Sequence, residues 1–96
     1  MITHIALIKL VHANAETIEV AKKILSGLEG KIPQLRHLEI GVNIVQSYRS
    51  YDLSLVARFD SLEGLQAYLN HPTHVEVVKN LQGVRRSTIT VDYETP

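Results

Sequence analysis

A chain of 96 residues with 45% hydrophobic content suits one domain, expected over residues 1–96, and has too many apolar residues to stay disordered. Ten basic residues balance ten acidic ones, so the basic stripe of a nucleic-acid binder is missing. There is no cysteine. That excludes disulfides, thiolate chemistry and zinc–cysteine sites, and it leaves oligomerisation as the usual way to stabilise so small a core.

The first segment, "MITHIALIKLVHA", is apolar but interrupted by His4 and Lys9, and no basic stretch precedes it, so no signal peptide is expected. Nothing approaches the roughly 18 apolar residues of a membrane span. The expectation is a cytoplasmic protein with no membrane or nucleic-acid partner. Residues 3–11, rich in β-branched and aliphatic side chains, predict a strand. Asn14 is an N-cap candidate, with Glu16 and Glu19 where a helix dipole favours acids. Ile18, Ala21, Ile24, Leu25 and Leu28 follow at helical spacing, with Gly30 as the candidate C-cap and Pro33 beyond it. Residues 38–47, "LEIGVNIVQS", predict a second strand, in which Gly41 marks a bulge or a close approach.

After the polar turn "SYRSYD", residues 53–59 predict a third strand with Leu53, Leu55, Ala57 and Phe59 on one face. Asp60 or Ser61 caps the next helix, whose apolar stripe is expected at Leu62, Leu65 and Leu69. Pro72 stops that helix and is suited to open another, which carries Val75, Val77, Val78 and Leu81 and closes at Gly83. Residues 86–93 predict the last strand. The order β-α-β-β-α-β, with its second helix broken at "HPTH", is that of an α+β, ferredoxin-like subunit: a four-stranded antiparallel sheet with helices on one face.

The first strand is apolar on both sides, with Ile2, Ala6, Ile8 and Leu10 against Ile5, Leu7 and Val11. The second has Ile40, Val42 and Ile44 against Val45. Helices cover only one side of such a sheet, so the other side is expected to meet the sheet of an identical subunit. The alternative is a scatter of exposed aliphatics.

His74, Val77, Val78 and Leu81 fall at i, i+3, i+4 and i+7, so His74 opens the inward stripe of its helix. Tyr68 leans inward one turn after Leu65, and His4 shares a strand face with Ala6 and Ile8. A pocket between the broken helix and the sheet would have Tyr68 and His74 in its wall, with His4 facing either that pocket or the partner. The functional expectation is His74 as a general base near neutral pH, assisted by Tyr68, with His4 and His71 as substrate contacts. The plainer reading makes His74 a hydrogen-bonded core histidine, His71 a helix cap and Tyr68 an amphipathic packing ring. A metal bound by His71, His74 and His4 is disfavoured, because no carboxylate accompanies them and Pro72 aims the first two rings apart. No phosphate-binding glycine loop or serine nucleophile motif is present.

The segments "THIALIKL", "GVNIVQS", "YDLSLVARFDSLEGLQAYLNHPTHVEVV" and "VDY" resemble the stress-responsive dimeric α+β barrel domain (Dabb) family along nearly the whole chain. The resemblance implies a homodimer whose two sheets pack into one barrel. One plant member type is a polyketide cyclase that closes a ring by aldol condensation. There the histidine matching His74 is the base, the tyrosine matching Tyr68 assists, and the histidine matching His4 lines the pocket. That type has a further histidine where this chain has Leu53. The resemblance thus implies a small apolar or aromatic ligand, no cofactor, and proton transfer as the candidate chemistry. Two alternatives stand beside it: a non-enzymatic stress-response protein, and an oxygenase on the same barrel.

Overall fold

In the computed structural model, which describes residues 1–96, the chain runs β1 (Ile2–Leu10), α1 (Ala15–Ser26), β2 (His37–Val42), β3 (Leu53–Phe59), α2 (Leu62–Asn70), α3 (Pro72–Leu81) and β4 (Arg85–Glu94). All strand pairs are antiparallel in the order β2-β3-β1-β4, which is the ferredoxin-like topology. Three helices lie on one face of this sheet.

Local chemistry starts and stops most of these elements. Asn14 caps α1 by accepting from the Thr17 N–H, while the Thr17 hydroxyl accepts in return from the Asn14 N–H. Ser61, not Asp60, caps α2, and its hydroxyl accepts from the Gly64 N–H. Asp60 instead pairs with Arg36. α1 ends sooner than its apolar spacing suggests. Gly27, Leu28 and Glu29 donate to the carbonyls three residues back, which tightens the chain out of the α-helix after Ser26. Gly30 is therefore not the cap but a turn residue, with a φ of 76° that favours glycine.

β2 is shorter than the expected span of residues 38–47. Its partner β3 begins at Leu53, opposite Val42, so beyond Val42 no ladder remains. Ile44 lies outside the sheet and is 91% exposed, and Val45 is exposed as well, so neither supports a two-faced β2. The register around Gly41 is regular. The glycine is required by a close approach rather than a bulge, since a Cβ there would stand 2.7 Å from the Ser54 hydroxyl. Asp52, read as part of a polar turn, extends the β1 ladder: its N–H donates to the Ile8 carbonyl and its carboxylate accepts from the Leu10 N–H.

The core lies between the sheet and the helices, on Ala6, Ile8, Leu10 and the alternate β3 residues Leu53 to Phe59. From the helices, Leu25, Leu65, Tyr68, Val77 and Leu81 press onto it. The inward stripe of α2 is Leu65 and Tyr68; Leu62 and Leu69 are exposed, and so is Val75 on α3. α2 thus rolls its aromatic residue inward and leaves its first leucine in solvent.

β4 inverts the usual pattern. Its register with β1 puts Thr88, Thr90 and Asp92 on the helix side, opposite Ile8, Ala6 and His4. Ile89, Val91 and Tyr93 stand on the outer face at 49%, 52% and 45% exposure, next to Ile5 and Leu7. An apolar outer face and a polar inner edge on one strand are what position the features below.

Candidate functional site

Tyr68 sits at the centre of the site. It is the largest fully buried side chain, 1% exposed, and packs on Phe59 with ring centroids 4.9 Å apart. The His74 ring lies 4.6 Å from it on one side and the His4 ring 6.1 Å on another. Three elements deliver these rings: β1 carries His4 on its helix-facing side, α2 carries Tyr68 in its last turn, and α3 carries His74 in its first. The break between α2 and α3 brings the last two together. Tyr68 and His74 meet as tilted rings, and no hydrogen bond joins the phenol to the imidazole.

The hydrogen bonds define the tautomers. The His74 Nδ1–H donates to the Leu69 carbonyl at 3.0 Å, because a carbonyl can only accept. Nε2 of a neutral His74 then keeps a lone pair. Burial pushes the His74 pKa below 6.5; the bond to the Leu69 carbonyl opposes that shift, and the nearby His4 adds to it. A neutral imidazole with a free basic nitrogen results at pH 7. Burial likewise pushes the Tyr68 phenol up to about 12, so it stays protonated and can donate.

His4 is held by Asp92, whose carboxylate accepts from the His4 Nδ1–H across the β1–β4 register. This acidic partner was missed in the sequence reading, although "VDY" stood among the segments that carried the resemblance. The available signal was antiparallel pairing of the first and last strands, which sets residue 4 opposite residue 92. A carboxylate on one imidazole nitrogen fixes the tautomer and orients the ring.

His4, Tyr68 and His74 line a cavity of about 190 Å³ between the sheet and the helices. Its floor is Ala6, Ile8 and Leu55, and most of its remaining wall is aliphatic. A dry cavity of about 150 Å³ holds a benzene ring, so this one suits an occupant of six to eight heavy atoms. His71 is not in that wall. It caps α3, with Nδ1 accepting from the Thr73 N–H at 3.1 Å, and Pro72 fills the first helical position. With His71 turned away, the three histidines do not form a ligand set, and no three His, Asp or Glu side chains converge as metal ligands would.

The family model described as the stress responsive A/B barrel domain matches residues 2–95. No curated protein matches the chain. Among solved structures, a dimeric protein of unknown function and ferredoxin-like fold from Bacteroides fragilis is 31% identical, with a TM-score of 0.82, over 98% of this chain and 95% of its own. A dimeric ferredoxin-like protein of unknown function from Thermobifida fusca is 26% identical, with a TM-score of 0.84, over 98% of this chain and 90% of its own. The hydroxynitrile lyase from Passiflora edulis shares the fold at 12% identity and a TM-score of 0.80, over 96% of this chain and 90% of its own. At that identity only the fold is common.

Proposed function

We propose, from the premise that this chain belongs to the stress responsive A/B barrel domain (Dabb) family, that it is a homodimer binding a small, mostly apolar carbonyl compound and moving a proton next to that carbonyl. His74 is the base. Its Nε2 takes a proton from the carbon beside the carbonyl, and the electron pair moves onto the carbonyl oxygen as an enolate. The Tyr68 hydroxyl donates to that oxygen, as a phenol with a pKa of about 12 can do without losing its proton. His4, steadied by Asp92, lies with its ring 6.1 Å from that of Tyr68 as a second polar contact. Protonation of the enolate at carbon gives isomerisation or exchange, and its attack on a second carbonyl gives an aldol closure.

The observation that carries this reading is the commitment of His74 Nδ1 to the Leu69 carbonyl. His74 has a single protein partner and borders a cavity. His71 also has a single protein partner but lies outside the cavity wall, so it is the cavity that sets His74 apart. The fold hosts unrelated activities, so the chemistry follows from the site and not from the family.

The dimer reading rests on the outer sheet face, where Ile89, Val91 and Tyr93 extend the apolar surface of Ile5 and Leu7. The relatives from B. fragilis and T. fusca are described as dimeric. No helix is long and apolar enough to cross a membrane.

The test is hydrogen–deuterium exchange at the carbon beside the carbonyl in a panel of small alkyl and aryl ketones, followed by NMR. Exchange above buffer is expected for at least one ketone, falling at least about 100-fold in His74→Gln and about tenfold in Tyr68→Phe, as loss of a general base and of a hydrogen-bond donor would give. Exchange that His74→Gln leaves untouched overturns the mechanism.

A further inference from the structure

The cavity has a second polar wall that the proton-transfer reading does not use. Arg85, Thr88 and Thr90 line it from β4. Strand alternation alone would place Arg85 on the outer face, with Ile89 and Val91. A β-bulge changes that. Between Lys9 and Leu10 the β1–β4 register shifts, so that Lys9 faces Ser87 while Leu10 faces Arg85, and Arg86 is the extra residue. The bulge turns Arg85 to the same side as Thr88 and Thr90, where Leu10 and Ile8 already point into the core. Bulges commonly re-aim a side chain in this way beside a binding site.

Arg85 has no acidic partner. The ion pairs of the chain join His4 to Asp92, Lys22 to Glu19, Arg36 to Asp60 and His37 to Glu39. Asp92, the nearest acid on the same side of β4, is taken by His4. The Thr88 hydroxyl oxygen is buried and has no hydrogen-bond partner. One cavity wall therefore carries an unpaired guanidinium and an unsatisfied hydroxyl on one strand. The buried hydroxyl is costly to leave unmet, while the half-buried Arg85 keeps its charge toward water until an anion meets it.

Resting on the proton-transfer reading of the same cavity, we propose that the ligand is an oxo carboxylic acid. Its carboxylate is held by Arg85 with help from Thr88, and its carbonyl reaches Tyr68 and His74. A planar guanidinium suits a carboxylate in two-pronged fashion. The acid leaves the aliphatic floor free for a short carbon chain. The His4 and Leu10 positions that bracket this wall are six residues apart on β1, roughly 20 Å at about 3.3 Å per residue. Arg85 and His4 nevertheless line one cavity of about 190 Å³, and a side chain as long as arginine's can span part of that distance. The two functional groups of the ligand are then separated by a few carbons.

The probes are 4-oxopentanoate and its neutral analogue 4-oxopentanamide, titrated by NMR into the wild type, Arg85→Gln, Arg85→Lys, Thr88→Val and His74→Gln. The acid is expected to bind the wild type at least about tenfold more tightly than the amide, the difference a charge-assisted pair gives. Arg85→Gln should abolish that preference while leaving amide affinity within about twofold, Arg85→Lys should restore part of it, and Thr88→Val should weaken the acid alone. Equal affinity of acid and amide, absence of binding by both, or a preference unchanged in Arg85→Gln overturns the proposal. His74→Gln separates it from the base reading. Arg85-dependent binding without any His74-dependent exchange rejects the base and keeps the acid site; exchange of neutral ketones with no acid preference does the reverse.

Discussion

His74 occupies a position where a leucine would fill the inward stripe of α3 at least as well. The His74→Leu variant is therefore expected to unfold at the same temperature as the wild type or higher at neutral pH. A loss of more than about 2 kcal/mol, the scale of a broken buried polar network, would make the histidine a structural element instead. Its pH dependence has a definite sign. The folded pKa lies below 6.5, so the unfolded chain binds the proton more readily. The associated stability is present above about pH 6.5 and lost as pH falls through the depressed folded value. Thermal unfolding from pH 7 to 5 should show a shallower decline in His74→Leu than in the wild type. Tyr68 acts at the other end of the scale. Its pKa is raised to about 12, so its contribution is full below about 10 and is lost as pH rises through 12.

Between α2 and α3, the Pro72 break serves the site by geometry and His71 serves the helix. Substituting His71 by alanine removes the cap on the Thr73 N–H and should cost about 1 kcal/mol of stability, the usual worth of an N-cap, measurable by urea titration. It should leave ketone exchange unchanged, since His71 is outside the cavity wall; a fall in exchange parallel to that of His74→Gln would return His71 to the site. Much of this arrangement was legible in the sequence, because the 3.6-residue spacing of His74, Val77, Val78 and Leu81 and the punctuation by Pro72 are local signals. The end of β2 was not legible: it depends on where β3 begins, which is a pairing fact. The roles of Asp92 and Arg85 were hidden for the same reason. Asp92 meets His4 only through strand register, and Arg85 turns inward only because a bulge shifts that register by one residue. The inward lean of Tyr68 was legible from its place one turn after Leu65, but the exposure of Leu62 and Leu69 was not, because the packing of Tyr68 on Phe59 sets the roll of α2.

At the scale of the molecule, a small chain leaves one apolar sheet face uncovered on Ile89, Val91 and Tyr93, and the proposed second copy covers it. Val91→Glu should convert the dimer to a monomer in sedimentation velocity and lower the unfolding temperature; a wild type that sediments as a monomer at tens of micromolar would contradict the pairing. The cavity lies on the opposite side of the same sheet, so a second copy on the outer face would back the site without closing it. The central claim, that the molecule holds a neutral base in a ligand-sized cavity, is tested most directly by long-range ¹⁵N–¹H NMR of the His74 imidazole across pH. The account predicts a protonated Nδ1 and an unprotonated Nε2 at pH 7, with a titration midpoint below 6.5. A proton on Nε2 at neutral pH, or a midpoint above 6.5, would contradict it.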